Sequence, residues 1–507
     1  MLNLQQISEE TLRKAAQVFL TGVGEGGIRK AIDVATGLVG FNLKQPAEQL
    51  VPLLSPFQQS IPRLVKPGAN SNNWRQITAL GSPDPFTTER AAGLKFATTL
   101  VSKVATFKPM EILGDVTREA VAASQGFDPA LAKETANQLL VAMKLEGQSF
   151  IGANITDLGA PANVVVAERS GLGSLAANTY YISIRALTLL ALNRITIDSV
   201  SDYDGTDHFV NSRSVTIVNP LVDNAGATIT VGSGISTSST EANSGAIAGG
   251  NDAIKVTWDP VVGAAGYVIF MGTATGAANR KASLVVGQIT SVTIKTLVTT
   301  GLADNSATLP AADETGNANH YDGILAQLFA AGSGAYLKNL GAKLSGTAAT
   351  GEVVELQDAF ATIYGTAKIG KFRVICSGTE SRILTKLGVV SNAMQIFATP
   401  GPEGRLNLTA GAHIGQIVNA TTGDVCPVEV EPWLPHGQLL ILPTEIPYPM
   451  ANVAAPFIWC GSFDWEQWPY SSTILTGPVY QFGIRNAGAL EGHFTGGCGI
   501  IYNIFKG

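Results

Sequence analysis

Apolar residues recur along this chain with two different periods, and the switches between them divide it into three stretches. From residue 1 to about 158 helical and extended patterns mix, and from about 172 to 312 short Thr/Ser/Gly/Val-rich runs have the look of strands. After about 318 helical spacing returns, and the C-terminal stretch is built of strands punctuated by Pro, Trp and Gly. The first predicted helix covers residues 8–20, with Ser8 as cap, Glu9 and Glu10 at the positive end of the dipole, and Leu12, Ala16 and Phe19 as its stripe. Pro52, Pro56, Pro62 and Pro67 exclude a helix or a central strand there and predict an extended arm that must lie on something else. Residues 70–113 read as a long hairpin. A run containing Trp74 and a second over 96–108 flank the turn Gly81-Ser-Pro-Asp-Pro85. Such a ribbon has little core of its own and needs a neighbour to pack on.

The clearest helix begins at Asp128-Pro129, a favoured cap followed by a favoured first residue. Ala132, Thr135, Ala136, Leu139, Ala142 and Met143 predict one apolar face, and Gly147 predicts the end. In the middle stretch Trp258 sits on one predicted strand and Tyr267 on the next, across a Gly/Ala turn. Further strands are expected at 180–186, 214–218, 228–231, 283–286 and 292–296, which together predict a β-sandwich with Trp258 in its core. The third stretch predicts helices over 321–330, 352–365 and 380–387, with Val353, Leu356, Phe360 and Ile363 sharing a face, and a buried strand at 372–376. Strands follow at 425–430, 437–443, 456–461, 479–484 and 499–505, so the class is α+β with an all-β middle.

Composition changes this picture in one respect. Charged residues make up 14 % of the chain, well below the roughly 25 % of an ordinary soluble protein. Glycine, at 55 of 507 residues, is about 11 % against a typical ~7 %. A chain so poor in charge must hide much of its surface, and self-assembly follows as the first idea. The net charge of −6 argues against a protein that neutralises phosphates over a broad face. Residues 446–463 are apolar but contain Pro447, Pro449 and Pro456, which exclude a spanning helix, so no membrane partner is expected. Glu9, Glu10 and the lack of an apolar h-region predict no secretory signal. Cys376, Cys426, Cys460 and Cys498 form no CxxC and read as small buried apolar residues in a reducing compartment.

Candidate chemistry is sparse. Gly22-Val-Gly24-Glu-Gly-Gly27 matches a dinucleotide-binding pattern by letter, but it follows a predicted helix rather than a strand and reads as a joint. There is no P-loop, no GxSxG elbow and no HExxH, and the five histidines are isolated in sequence. Asp202, Asp204 and Asp207 could offer hard oxygens to calcium, yet they lack the EF-hand register and its closing bidentate Glu, and a solvated β-turn is the favoured reading. No catalytic constellation and no cofactor site is predicted, and an enzyme is not expected.

The order of elements resembles the HK97-type major capsid protein of tailed bacteriophages. Residues 101–120 are similar to the return strand of that family's extended E-loop, leading into the P-domain. Residues 128–154, ending Leu-Glu-Gly-Gln-Ser-Phe-Ile-Gly-Ala-Asn, resemble the P-domain spine helix and its exit. Residues 428–442 resemble the P-domain strand pair, and the ending Gly496-Gly-Cys-Gly-Ile-Ile-Tyr-Asn-Ile504 the final strands. The resemblance implies an N-terminal arm at 1–65, an E-loop at 66–112, a P-domain from 113–158 and 415–507, and an A-domain at 318–414. Residues 172–312 depart from the pattern and read as an immunoglobulin- or fibronectin-III-like insertion domain; with 7 Lys/Arg and 9 Asp/Glu they show no basic face.

The function this implies is an icosahedral shell of hexamers and pentamers enclosing double-stranded phage DNA without sequence-specific binding. The subunit would be assembled in the host cytoplasm and located in the virion capsid. A portal and scaffolding or cement proteins are the further partners. Trp74, Arg75, Arg90 and Lys95 on the hairpin are the expected assembly contacts. The alternatives are an encapsulin-like nanocompartment shell, or a tail or surface protein built of β-modules.

Overall fold

The structure is a computed structural model that describes residues 55–84, 86–87, 92–123, 130–197, 201–203, 208–210, 215–217, 234–299, 301–305, 309–347, 352–388, 396–400, 406–410, 414–446, 453, 455–469 and 479–505. The predicted helix at 8–20, the glycines at 22–27, the Asp128-Pro129 cap and the strand at 228–231 lie outside them. The described elements belong to one unit, which spans Leu53–Ala123 and Ala130–Gly507.

The proline-marked arm departs from expectation. It contains a five-residue helix, Pro56–Ser60, because Pro56 occupies the first helical position, where no N–H is needed, and Ser55 Oγ accepts from the Gln58 amide. Strand Arg63–Val65 then runs parallel to Phe457–Pro469, at the edge of a four-stranded sheet continued by Val479–Gly492 and Lys108–Thr117. An edge place fits, since Pro62 directly precedes it. The glycines of that sheet are close approaches: a Cβ on Gly488 would stand 2.4 Å from the buried Trp459 indole.

The long helix is Ala130–Gly152, and it does not stop at Gly147. That glycine is a packing position instead, where a Cβ would come within 3.0 Å of Gln58 Oε1 on the arm helix. Its buried face also differs from the predicted one. Ala142, Phe150 and Ile151 are buried together with Gln138, Glu146 and Gln148, while Leu139 is 40 % exposed and Met143 36 %. Polar partners on neighbouring elements, described below for Glu146, reverse the burial that hydropathy alone predicts.

A six-stranded mixed sheet takes the order Tyr336–Lys343, Gly499–Phe505, Gln438–Pro443, Phe372–Cys376, Val425–Val430 and Gln416–Val418. Helix Val354–Ala367 packs on it through Leu356, Phe360 and Ile363, as the spacing predicts, and Phe360 stacks on Phe372 at 5.1 Å. Helices Ile324–Phe329 and Gly378–Gly388 stand at or near their expected places. The predicted strands at 456–461 and 479–484 extend further, to Phe457–Pro469 and Val479–Gly492.

The middle stretch forms two sheets over a shared core. One has the order Ala242–Ala246, Thr179–Leu187, Gly266–Gly272, Lys281–Val286. The other has Val165–Arg169, Ala253–Thr257, Ser291–Ile294, His208–Val210, Ser201–Tyr203. Trp258 is buried against Tyr267, edge to face at 5.3 Å, so it packs the core and presents no binding face. Strand Val165–Arg169 begins upstream of residue 172 and belongs to the second sheet. A buried Asp304 holds Arg185, on the central strand Thr179–Leu187, at 2.7 Å and Arg280, just before the edge strand Lys281–Val286, at 3.2 Å, tying the segment after Ser291–Ile294 to that sheet. The entry and exit of this sandwich are joined by hydrogen bonds. The Leu158 amide donates to Thr315 Oγ1 at 2.7 Å, the Gly159 amide to Asp313 Oδ2 at 2.9 Å, and the Gly316 amide to Asp157 Oδ1 at 3.1 Å.

Candidate assembly surface

Among the described residues, strands Ser71–Leu80 and Thr98–Thr106 pair only with each other, as a two-stranded antiparallel ribbon. Residues directly opposite share a face. The register therefore puts Ile77 and Leu100, Arg75 and Ser102, and Asn73 and Val104 on one side, and Gln76 and Val101, Trp74 and Lys103, and Asn72 and Ala105 on the other.

The second side is anchored at its base. The Trp74 ring lies 4.9 Å from the His493 ring, Gln76 Nε2 donates to the His493 carbonyl, and Asn72 Nδ2 donates to Glu491 Oε2 at 2.9 Å. Glu491, 1 % exposed, also lies 3.1 Å from His493 Nε2, so one buried carboxylate joins the ribbon to strand Val479–Gly492. The first side has no such partners among the described residues. Ile77 is 62 % exposed, Leu100 56 % and Val104 65 %, and toward the tip Leu80, Phe86, Leu94 and Phe96 are all more than half exposed. Contiguous large apolar side chains in water mark an interaction site on a folded protein.

The expected contact residues separate accordingly. Arg75 is exposed on the outer side and Lys95 is exposed near the tip, whereas Trp74 is half-buried as an internal anchor; Arg90 lies outside the described residues. Asp202 is on strand Ser201–Tyr203, its side chain not described, and Asp204 and Asp207 lie outside the described residues. Among the described residues no cluster of three or more His, Cys, Asp or Glu could hold a metal ion, and no helix is long and apolar enough to cross a membrane.

Sequence reasoning missed the buried carboxylates that fasten the arm. Glu146 accepts from both terminal nitrogens of Arg63, at 3.0 and 2.8 Å, from Gln58 Nε2 at 2.9 Å and from Asn486 Nδ2 at 3.0 Å. Arg63 also pairs with Asp464 and lies over the Trp459 ring at 4.3 Å. Burial alone would lower the Arg63 pKa, but its bonds to Glu146 and Asp464 outweigh that and raise it. Glu431 accepts from Ser55 Oγ at 2.9 Å and the Phe57 amide at 3.1 Å, and burial pushes its pKa up against those hydrogen bonds. The available signal was a carboxylate inside a helix pattern, which hydropathy assigns to the solvent side. All four cysteines are free and buried, as expected; burial raises the Cys376 thiol to about 12 and Cys460 to about 11.

No family model matches the chain, and no curated protein matches it. Among solved structures it is similar to the capsid of the native GTA particle, at 10 % identity and TM-score 0.37, over 94 % of this chain and 100 % of that one. It is similar to the capsid asymmetric unit of cyanophage A-1(L), at 10 % identity and TM-score 0.43, over 94 % and 99 %. It is also similar to the holo-SrpI encapsulin complex from Synechococcus elongatus PCC 7942, at 6 % identity and TM-score 0.39, over 95 % and 96 %.

Proposed function

We propose that this chain is a structural shell subunit of the major-capsid type, which self-assembles through its ribbon into capsomers and a closed icosahedral shell around double-stranded phage DNA. The observation that carries the reading is the ribbon's outer side. It displays Ile77, Leu100 and Val104 to solvent while its inner side is anchored by Trp74, Asn72 and Gln76. A two-stranded ribbon gains stability only by packing, and a second copy of the chain supplies the missing surface. Low charge and abundant small residues suit a subunit that buries surface against several neighbours.

In this reading residues 1–65 are the arm, 66–112 the ribbon, 113–158 with 415–507 the P-domain, 318–414 the A-domain, and 172–312 an immunoglobulin-like insertion on the outer surface. Arg75 and Lys95 make polar contacts with the neighbouring subunit. Assembly takes place in the host cytoplasm, with a portal and scaffolding or cement proteins as further partners. Electron microscopy of the purified full chain tests the reading. Closed particles are expected, and a chain that stays monomeric at micromolar concentration overturns it. Shells filled with a co-purifying enzyme and free of nucleic acid replace the phage reading with a nanocompartment.

A further inference from the structure

A cavity of about 270 Å³ opens beside the C-terminal half of the long helix, where that helix meets helix Leu189–Leu192, the start of strand Lys108–Thr117 and residues 317–321. Its ionic lining is of one sign. Lys108 and Arg194 contribute two permanent cations, and no Asp or Glu is among its described lining residues. His320 and Asn317 add hydrogen-bonding groups, shared with a small adjoining lobe of about 20 Å³.

The polar groups of the lining are incompletely paired, with Asn317 Nδ2 standing 3.4 Å from His320 Nε2. Lys108 Nζ donates to the Ala318 carbonyl at 2.7 Å, which uses one of its three hydrogens. Burial lowers the pKa of Arg194, and no carboxylate among the described residues compensates it. The same desolvation, with the charge of Arg194 added, lowers that of His320, which favours the neutral ring. A partly desolvated guanidinium without a counter-charge is costly, and an anion with several acceptor oxygens removes that cost while pairing the free donors.

We propose that this cavity is a binding site for a small oxyanion of the phosphate class, held by Arg194 and Lys108 with Asn317 and His320 completing its hydrogen bonds. Its volume is below the roughly 300–1,000 Å³ of sites for drug-sized ligands, so the ligand is a single phosphate group, free or carried by a nucleotide. The proposal is independent of the shell reading.

Isothermal titration of the full chain with inorganic phosphate, against chloride at matched ionic strength, tests it. A saturable heat is expected from phosphate alone. Arg194→Gln should weaken the affinity at least tenfold, and Lys108→Gln should weaken it too. Lys371→Gln, a cation outside the cavity, should leave it unchanged. Arg194 forms no salt bridge with a described residue, so its variant keeps the fold, and an unchanged melting midpoint in chloride checks this. Adenosine monophosphate binding as well as phosphate identifies a nucleotide as the source, and its failure identifies free phosphate. No heat beyond that of chloride, or equal affinity in Arg194→Gln, overturns the site.

Discussion

At the scale of single residues, Glu146 does what the helix pattern gives no reason to expect. It is 1 % exposed, and its two oxygens accept hydrogen bonds from Arg63, Gln58 and Asn486, which lie on three different segments. Removing one member of a buried pair leaves the other charge uncompensated, at about 3–5 kcal/mol. Arg63 keeps Asp464 and some solvent, which places the expected loss for Glu146→Ala toward the lower end of that range. Guanidinium denaturation of the variant measures it, and a loss under about 1 kcal/mol would show the pair to be incidental. Glu431 supplies a pH dependence. Its pKa is raised in the folded chain, so the folded state binds the proton more tightly than the unfolded one. The stability this contributes is present below the ordinary carboxylate range and is lost as pH rises through the raised value. Glu431→Gln should therefore compare more favourably with the parent at about pH 8 than at about pH 4. A difference in stability that does not change with pH removes Glu431 from the account.

At the scale of elements, the ribbon combines an anchored side with an open one. Two extended runs around the proline-marked turn at 81–85 made its strands legible, because such a turn breaks the chain between segments that pair. Which face meets the body was not legible, since Trp74 and Ile77 are both apolar and the anchors His493 and Glu491 lie far away in sequence. The structure makes Trp74 an internal contact and leaves Ile77 and Leu100 outside, directly opposite one another. The variant Ile77→Asp/Leu100→Asp should keep its melting midpoint, because both side chains are solvated, and should lose assembly. Sedimentation velocity reads both species, and particles formed at the parental yield would take this face out of the interface. The long helix teaches the complementary lesson. Its existence followed from spacing, but its buried face did not, because Gln138, Glu146 and Gln148 are buried while Leu139 stays exposed.

At the scale of the whole molecule, the middle sandwich is joined to the rest by two adjoining connections, with hydrogen bonds between residues 157–159 and 313–316. Composition placed its start near 172, yet strand Val165–Arg169 pairs along its length with Ala253–Thr257. A cut at 172 therefore leaves a strand without its sheet. Excision of 161–312 with a short Gly/Ser bridge should keep the remaining fold, because the joined ends are already neighbours. The excision also removes contacts with the body, among them helix Leu189–Leu192 against the long helix, Leu189 and Ala265 in the body's core, Thr290 to Asn503 and the Gln288 amide to the His436 carbonyl. A fall in the melting midpoint is expected, with particles still visible by microscopy. Soluble, folded protein that forms no particles would instead give the sandwich an essential role in assembly.

The sequence by itself determined the elements and the class. Turn residues, caps and hydrophobic period act over a few neighbours, and they are enough to place the helix Val354–Ala367, the strand Phe372–Cys376 and the Trp258–Tyr267 core pair. Low charge pointed to hidden surface without saying where. Only the tertiary structure decided which polar groups are buried, which side of the ribbon is left open, and that Lys108, Arg194 and His320 line one cavity. The physical reason is range. A buried carboxylate or an uncompensated guanidinium is defined by partners that can be hundreds of residues away, and no local pattern records them.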